Sequence, residues 1–326
     1  MRDILFRIPL PFVGRALPIH SYGLMAMLGF LAGLFVARRN ARYAGVSPES
    51  ATDFCIAALV GGIIGARAFY VAQFPEQFFG PGVPFWNVLK IWEGGLVFYG
   101  GLFGGMVGLL LTTYSKRERP LNVLDLIAPS LCLGLAFGRV GCFLHGCCYG
   151  VPLTGHHWYG VVFPPDAPAY QLFHEASRAL GLSSPSGVFL GRRIIPPGTP
   201  LFPSQIVSSL YLIVIFAILA LILRRRRHEG VVAGWALVLY SICRFAVEFG
   251  RGDTRLPGEL SVAQRISIFV FFAGVLLLVY SSGYGKPVAP AERRGPGSAP
   301  PGKGPGHVPS GSRDSVSRTS PGRPRP

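Results

Sequence analysis

Seven apolar runs, each about as long as the 17–25 residues that cross a bilayer, constrain this chain more than any other feature. They cover roughly 21–37, 54–73, 95–114, 121–143, 204–223, 231–249 and 265–281. Asp125 and Pro129 interrupt the start of the fourth. Half of the 326 residues are hydrophobic and only 14% are charged, against about a quarter in a soluble domain. The mean hydropathy is +0.43. So few polar residues cannot coat a globule of this size, which excludes a soluble enzyme. The pattern predicts an all-α integral membrane protein with seven transmembrane helices.

The net charge of +16 suggests nucleic acid until it is located. Residues 283–326 hold eight Lys/Arg against Glu292 and Asp314, a net +6. The other +10 sits mostly in short clusters beside the apolar runs, as in basic membrane loops. No nucleic-acid partner is expected. Arg38, Arg39 and Arg42 follow the first run, Lys116, Arg117 and Arg119 the third, and Arg224 to Arg227 the fifth. Basic short loops face the cytoplasm, so the N-terminus is expected outside and the C-terminus in the cytoplasm. Arg2, Arg7 and Arg15 pull weakly the other way.

The start reads as a span and not as a cleavable signal peptide. Its apolar core, 22–37, exceeds the usual 7–15 residues, and Arg38-Arg39 follow directly. The domain expectation is a membrane unit over 1–282 with a small extracytoplasmic subdomain, about 144–203, between spans four and five. The Gly/Pro/Ser/Arg-rich tail, 283–326, lacks the apolar residues to form a core and is expected to be disordered.

Ionisable residues inside spans are functional candidates, because desolvating them is costly. The topology places Arg67, Arg139 and the Tyr240, Arg244, Glu248 face (i, i+4, i+8) in one outer-leaflet layer. Tyr22, Tyr99, Ser204 and Gln205 fall at the same depth. Arg67, Arg139 and Arg244 outnumber Glu248 there, and a buried guanidinium calls for an anion; its planar fork suits phosphate. A phospholipid headgroup is one such anion. The competing account pairs Arg139 and Arg244 with Glu248 and Asp125 as structural bridges, while Arg67 snorkels outward.

Glycines concentrate at the start of span three (Gly94, Gly95, Gly100, Gly101, Gly104, Gly105) and the end of span four (Gly134, Gly138, Gly141, Gly146). Small residues at such spacing let helix backbones approach closely. Gly94-Gly95 and Gly146/Gly150 flank span ends, where backbone N–H groups could also face a ligand. Cys142, His145, Cys147 and Cys148 read C-x2-H-x-C-C, not the C-x2-C pairing of a structural zinc site, so no metal is expected. An external position permits a disulfide, from Cys142 or another segment. Cys55, Cys132 and Cys243 read as buried small hydrophobes. His156-His157-Trp158 reads as loop surface.

Several blocks recur in a known order: His20-Ser21-Tyr22-Gly23-Leu24, Gly65-Ala66-Arg67 and Trp92 to Gly101. Then come Gly138-Arg139-Val140-Gly141-Cys142-Phe143-Leu144-His145-Gly146-Cys147-Cys148-Tyr149-Gly150, Phe202-Pro203-Ser204-Gln205, Tyr240 to Arg251, and Ser261-Val262-Ala263-Gln264. Over about 18–281 the chain resembles bacterial prolipoprotein diacylglyceryl transferase, with Gly138–Gly150 as its specific signature. The resemblance implies a multi-pass enzyme of the bacterial cytoplasmic (inner) membrane. It implies transfer of the sn-1,2-diacylglyceryl group from phosphatidylglycerol to the lipobox cysteine of a prolipoprotein signal peptide. Glycerol phosphate leaves and a thioether forms, with no metal or organic cofactor.

By that resemblance Arg139 matches the arginine that binds the lipid phosphate, and Arg244 its partner from span six. Tyr22, Gly150, Tyr240 and Glu248 fall on functional positions. The combined expectation groups Tyr22, Tyr99, Tyr240, Arg244 and Glu248 as catalytic. Arg139, Arg67, Gly150, Ser204 and Gln205 then bind phosphatidylglycerol. The chain departs from the family at Tyr99 and Phe202, each usually histidine, and at Cys142 and Cys147, usually asparagine and glutamate. Two other classes compete: a non-catalytic phospholipid-binding or lipid-moving protein, and a polytopic transporter. A transporter needs polar residues through both leaflets, whereas the inner halves here are almost uniformly apolar.

Overall fold

The computed structural model describes residues 4–10, 15–80, 82–155, 157–181, 188–189, 192–251 and 260–288. Each apolar run becomes a helix. The order is α1 (Ser21–Ala44), α2 (Pro48–Gln73), a single-turn α3 (Glu76–Phe79), α4 (Phe98–Ser115) and α5 (Pro120–His145). Then follow α6 (Gln171–Leu180), α7 (Ser204–Arg225), α8 (Val231–Glu248) and α9 (Val262–Tyr284). Ends are set by local chemistry. Ser47 accepts the Ser50 N–H at 3.0 Å, with Pro48 opening α2. Ser261 and Gln264 close a reciprocal capping box on α9.

Helices are not the whole of it. β1 (Ile4–Leu10) pairs antiparallel with β2 (Arg15–His20), and β3 (Val188–Phe189) with β4 (Arg192–Arg193). Both hairpins lie outside the apolar runs, where nothing obliges the backbone to satisfy itself within one helix. The all-helical expectation did not contain them.

Among the described residues six helices are long and apolar enough to cross a membrane: α1, α2, α5, α7, α8 and α9. Helix α4, where a further span is expected, is not among them. Gly100, Gly101, Gly104, Gly105 and Gly108 dilute its apolar side chains. The same glycines fit it to α2. A Cβ added at Gly65 would stand 2.8 Å from the Gly104 Cα, and one at Gly104 would stand 2.8 Å from the Gly65 Cα. Farther along, a Cβ at Gly108 would lie 3.4 Å from the Gly61 Cα. The two helices thus run antiparallel, backbone on backbone, over most of their length. Likewise α1 packs along α5, α5 on α7 and α8 on α9.

The three basic loops gather at one end. There Arg38 donates to Thr52 at 2.9 Å, Lys116 pairs with Asp53 at 2.7 Å, and the Asn122 amide donates to the Ala44 carbonyl at 2.8 Å. Arg119 pairs with Glu229 at 2.7 Å. Asp125 does not break α5, because its burial is compensated. Arg226 binds it, and the Gly230 and Ala233 N–H groups at the start of α8 donate to it, each at 2.8 Å. Pro129 sits buried within the same continuous helix.

The first residues of the expected tail, 283–288, are among the described ones. Helix α9 runs to Tyr284, the Glu229 N–H donates to the Lys286 carbonyl at 3.1 Å, and the Val288 N–H donates to that of Arg227 at 2.8 Å. Residues 289–326 lie outside the described residues, as does His156. At the opposite end the segment after α5 has a small core of its own. Phe163, Ala167, Ala169, Tyr170, Ile195 and Leu201 bury one another, with Phe143 of α5 against them. Burial pushes the Tyr170 hydroxyl above its ordinary pKa.

Candidate active site

At that opposite end, the last turn of α5, the first of α7, the last of α8 and the first of α1 converge. Helix α5 stops because Gly146 takes a left-handed backbone (φ 80°) that a Cβ would strain. The Gly146 N–H donates to the Cys142 carbonyl at 3.0 Å, and the Cys147 N–H to the same carbonyl at 3.1 Å. Cys148 is left-handed too (φ 58°), an uncommon state for a side-chain-bearing residue that persists only when its surroundings fix it. Two buried α7 side chains do so. Ser204 Oγ donates to the Cys148 carbonyl at 2.8 Å, and Gln205 Nε2 to that of Cys147 at 2.7 Å. Gln205 Oε1 is buried without a partner among the described residues.

The loop turns back over α8. The Gly150 N–H donates to the Phe202 carbonyl at 2.9 Å, the Val151 N–H to that of Gly250 at 3.0 Å, and Gly150 pairs with Arg251 as an isolated β-bridge. A Cβ at Gly150 would stand 2.7 Å from the Phe202 oxygen. Gly150 is thus a point of close backbone approach, its N–H spent on protein, and not the headgroup donor expected from sequence.

Arg139 lies one helical turn before Cys142, half-buried. No hydrogen bond or ion pair holds its guanidinium among the described residues. Arg244 pairs with Glu248, which is 2% exposed, and Arg251 approaches the same carboxylate at 3.7 Å. The bridging alternative is therefore half right. Glu248 takes Arg244, but Asp125 goes to Arg226, and Arg139 is left over. Tyr22 packs on the Gly141 backbone: a Cβ there would meet Tyr22 Cδ2 at 3.2 Å. Tyr22, Arg139 and the three cysteines are electrostatic neighbours. Tyr240 joins through Tyr211, which neighbours Tyr240, Arg139 and Arg244. Tyr211 and Arg251 were not candidates from sequence. Tyr211 sits in an apolar run with no distinguishing signal, whereas Arg251 follows Glu248 at i+3 and could have been found by that spacing.

Two expected members stand elsewhere. Arg67 is buried (8% exposed), with its donors spent on the 87–95 loop. It donates to the carbonyls of Asn87 (2.6 Å), Val88 (2.8 Å), Gly94 (2.9 Å) and Gly95 (3.2 Å). It also stacks on Phe78, 4.9 Å from the ring centre. Carbonyl dipoles meet the charge that the sequence argument assigned to a lipid anion, so Arg67 shapes the loop. Gly94 and Gly95 contribute carbonyls there, not N–H donors. Tyr99, second residue of α4, is 58% exposed, with its ring edge-on to Phe98.

Cysteine spacing misled in one respect. The three sulfurs of Cys142, Cys147 and Cys148 lie within 4.8 Å of one another, because the helix C-cap folds the C-x4-C-C run back on itself. Thiol hydrogen bonds from Cys142 and Cys147 push the Cys148 pKa down, and Arg139 and Arg251 add to this.

The sequence profile of the prolipoprotein diacylglyceryl transferase family matches residues 9–280. The chain belongs to that family. A phosphatidylglycerol–prolipoprotein diacylglyceryl transferase 2 of Clostridium perfringens is 30% identical over 80% of this chain and 90% of its own length. The corresponding transferase of Clostridium tetani is 29% identical over 82% and 96%. That of Burkholderia lata is 31% identical over 81% and 91%.

Proposed function

We propose that this chain, as a multi-pass membrane transferase, moves the diacylglyceryl group of phosphatidylglycerol to the lipobox cysteine of a prolipoprotein. This is the first step of lipoprotein maturation. Family membership and the names of the relatives support the reaction. The observation that carries the site is Arg139, half-buried at the mouth of four helices with no anion of its own among the described residues. A phosphodiester fits it, since the guanidinium offers two parallel donors to two oxygens. Glu248 holds Arg244 beside it, and Tyr22 and Tyr240 supply hydroxyls.

In the reaction the thiol sulfur attacks the glyceryl carbon that bears the phosphate. The C–O bond breaks, its electron pair leaves on glycerol phosphate, and the thiol proton is released. A cysteine thiol, with reference pKa about 8.5, needs modest help to ionise.

The membrane reading has seven crossings, α4 included, with the N-terminus outside. In support, α4 lies antiparallel along α2, starting where α2 ends: the Val97 N–H donates to the Ala66 carbonyl at 3.1 Å. It finishes at the Lys116–Asp53 pair near the start of α2. The basic loops at that end set it toward the cytoplasm. The domain reading keeps 1–282 as the membrane unit, 144–203 as an extracytoplasmic subdomain and 283–326 as a basic tail.

The test is a lipobox peptide incubated with the full chain in phosphatidylglycerol micelles, read by mass. A diacylglyceryl-sized gain on the cysteine peptide, absent on its serine counterpart, is expected. Tight lipid binding with no transfer would replace this reading with the non-catalytic lipid-binding one.

A further inference from the structure

The three-sulfur cluster is not absorbed by this account. Its geometry is that of a cation cage. Tetrahedral zinc, with Zn–S bonds of about 2.3 Å, sets its sulfurs about 3.8 Å apart, and Cys142, Cys147 and Cys148 already lie within 4.8 Å of one another. They number three, so a disulfide would strand one. No histidine or carboxylate among the described residues joins them as a fourth ligand. Three protein ligands with an open position mark a catalytic zinc site, four a structural one.

The support around the sulfurs is also built. Ser204 and Gln205, both buried, fix the carbonyls that follow Cys148 and Cys147. Cys148 is held in a left-handed backbone. Gln205 Oε1 is a buried acceptor with no partner among the described residues. Three thiolates around a dication leave a charge of −1, and Arg139 and Arg251 are the electrostatic neighbours of the cluster.

We infer that Cys142, Cys147 and Cys148 bind one zinc ion whose open position takes the incoming lipobox thiol as a thiolate beside the phosphate held by Arg139. This chemistry rests on the transferase reading given above. A thiol that coordinates zinc loses its proton outright. Each enzyme cysteine likewise releases one proton on metal binding. The bound sulfur keeps a lone pair for the glyceryl carbon. As the S–C bond forms and the C–O bond breaks, the electron pair departs on the phosphate oxygen. The thioether is a weaker ligand than the thiolate and leaves the metal. No oxidant or reductant enters. The arrangement supplies a nucleophile without assigning Tyr99 the role of base.

The experiment uses the full chain in detergent, free of affinity tag. Elemental analysis should find about one zinc per chain, lost in Cys142→Ser, Cys147→Ser and Cys148→Ser but kept in Cys55→Ser. Cobalt(II)-substituted protein should show thiolate-to-metal charge-transfer absorption that rises on adding a lipobox cysteine peptide and not the serine peptide. A strong chelator should lower transfer at least tenfold, and zinc should restore it. Fully active protein without metal, or with a disulfide between any two of the three, overturns the inference and leaves the transferase reading intact. Protein that holds zinc yet transfers nothing overturns the transferase reading. The cobalt response to the cysteine peptide then decides the site on its own: a rise upholds it, no rise overturns it.

Discussion

The two ends of the helix bundle both bury ionic groups, and they settle them differently. At the end carrying the basic loops, both Asp125 oxygens are met from within, by Arg226 and by the Gly230 and Ala233 N–H groups. Arg119 has Glu229 and Lys116 has Asp53. At the other end Glu248 is shared by Arg244 and Arg251, while Arg139 has no anion among the described residues. A charge completed from within the protein holds the fold. In the proposed function, the one left open is the one that selects a ligand.

That contrast can be broken most severely at Asp125. Asp125→Ala leaves the Arg226 guanidinium buried and uncompensated, a change that costs about 3–5 kcal/mol. A large fall in thermal stability is expected, with turnover per folded molecule little altered. A stable variant with lost turnover would make the closed end catalytic. Arg139→Ala is the converse. Transfer should fall roughly thirtyfold or more, the equivalent of about 2–5 kcal/mol for a buried charged hydrogen bond to substrate. Stability should move by about 0.5 kcal/mol at most, since no partner is abandoned. Arg139→Lys should recover only part of the rate, lacking the planar fork. Kinetics alongside melting curves would separate the two outcomes.

Smaller changes sharpen the picture. Ser204→Ala removes one hydrogen bond to the Cys148 carbonyl, worth about 1 kcal/mol. It should loosen the cysteine loop, read as faster alkylation of Cys148 by a thiol reagent. Tyr99→Phe should cost tenfold or less in transfer rate, because the side chain is largely exposed and its hydroxyl contributes at most one hydrogen bond of about 0.5–1.5 kcal/mol. A collapse to background would return Tyr99 to the reacting centre.

The helices were legible because a span must be long, apolar and uncharged, and local sequence states all three. Even the loop charges pointed to their common end. What sequence hid was pairing across distance. Nothing near Asp125 says that Arg226 is its partner, 101 positions away. By charge and depth alone Arg67 reads like Arg139, both arginines in the outer half of a span, until the loop carbonyls around Arg67 are seen. The closeness of the three cysteine sulfurs was hidden for a related reason. Ligand spacing rules assume a known local backbone, and the left-handed turn at Gly146 and Cys148 is not written in the C-x2-H-x-C-C string.

The Arg67 brace has a consequence for how this chain can vary. It grips main-chain oxygens, and every amino acid brings the same oxygen. Asn87 and Val88 can therefore drift widely in side chain without loosening the loop, whereas position 67 has no equivalent replacement. A saturation scan of 67, 87 and 88 would show this as one intolerant column beside two permissive ones, whereas Gly94 and Gly95 are held by their positive φ (92° and 72°). A segment that looks freely mutable would in fact be governed from a helix some twenty residues upstream.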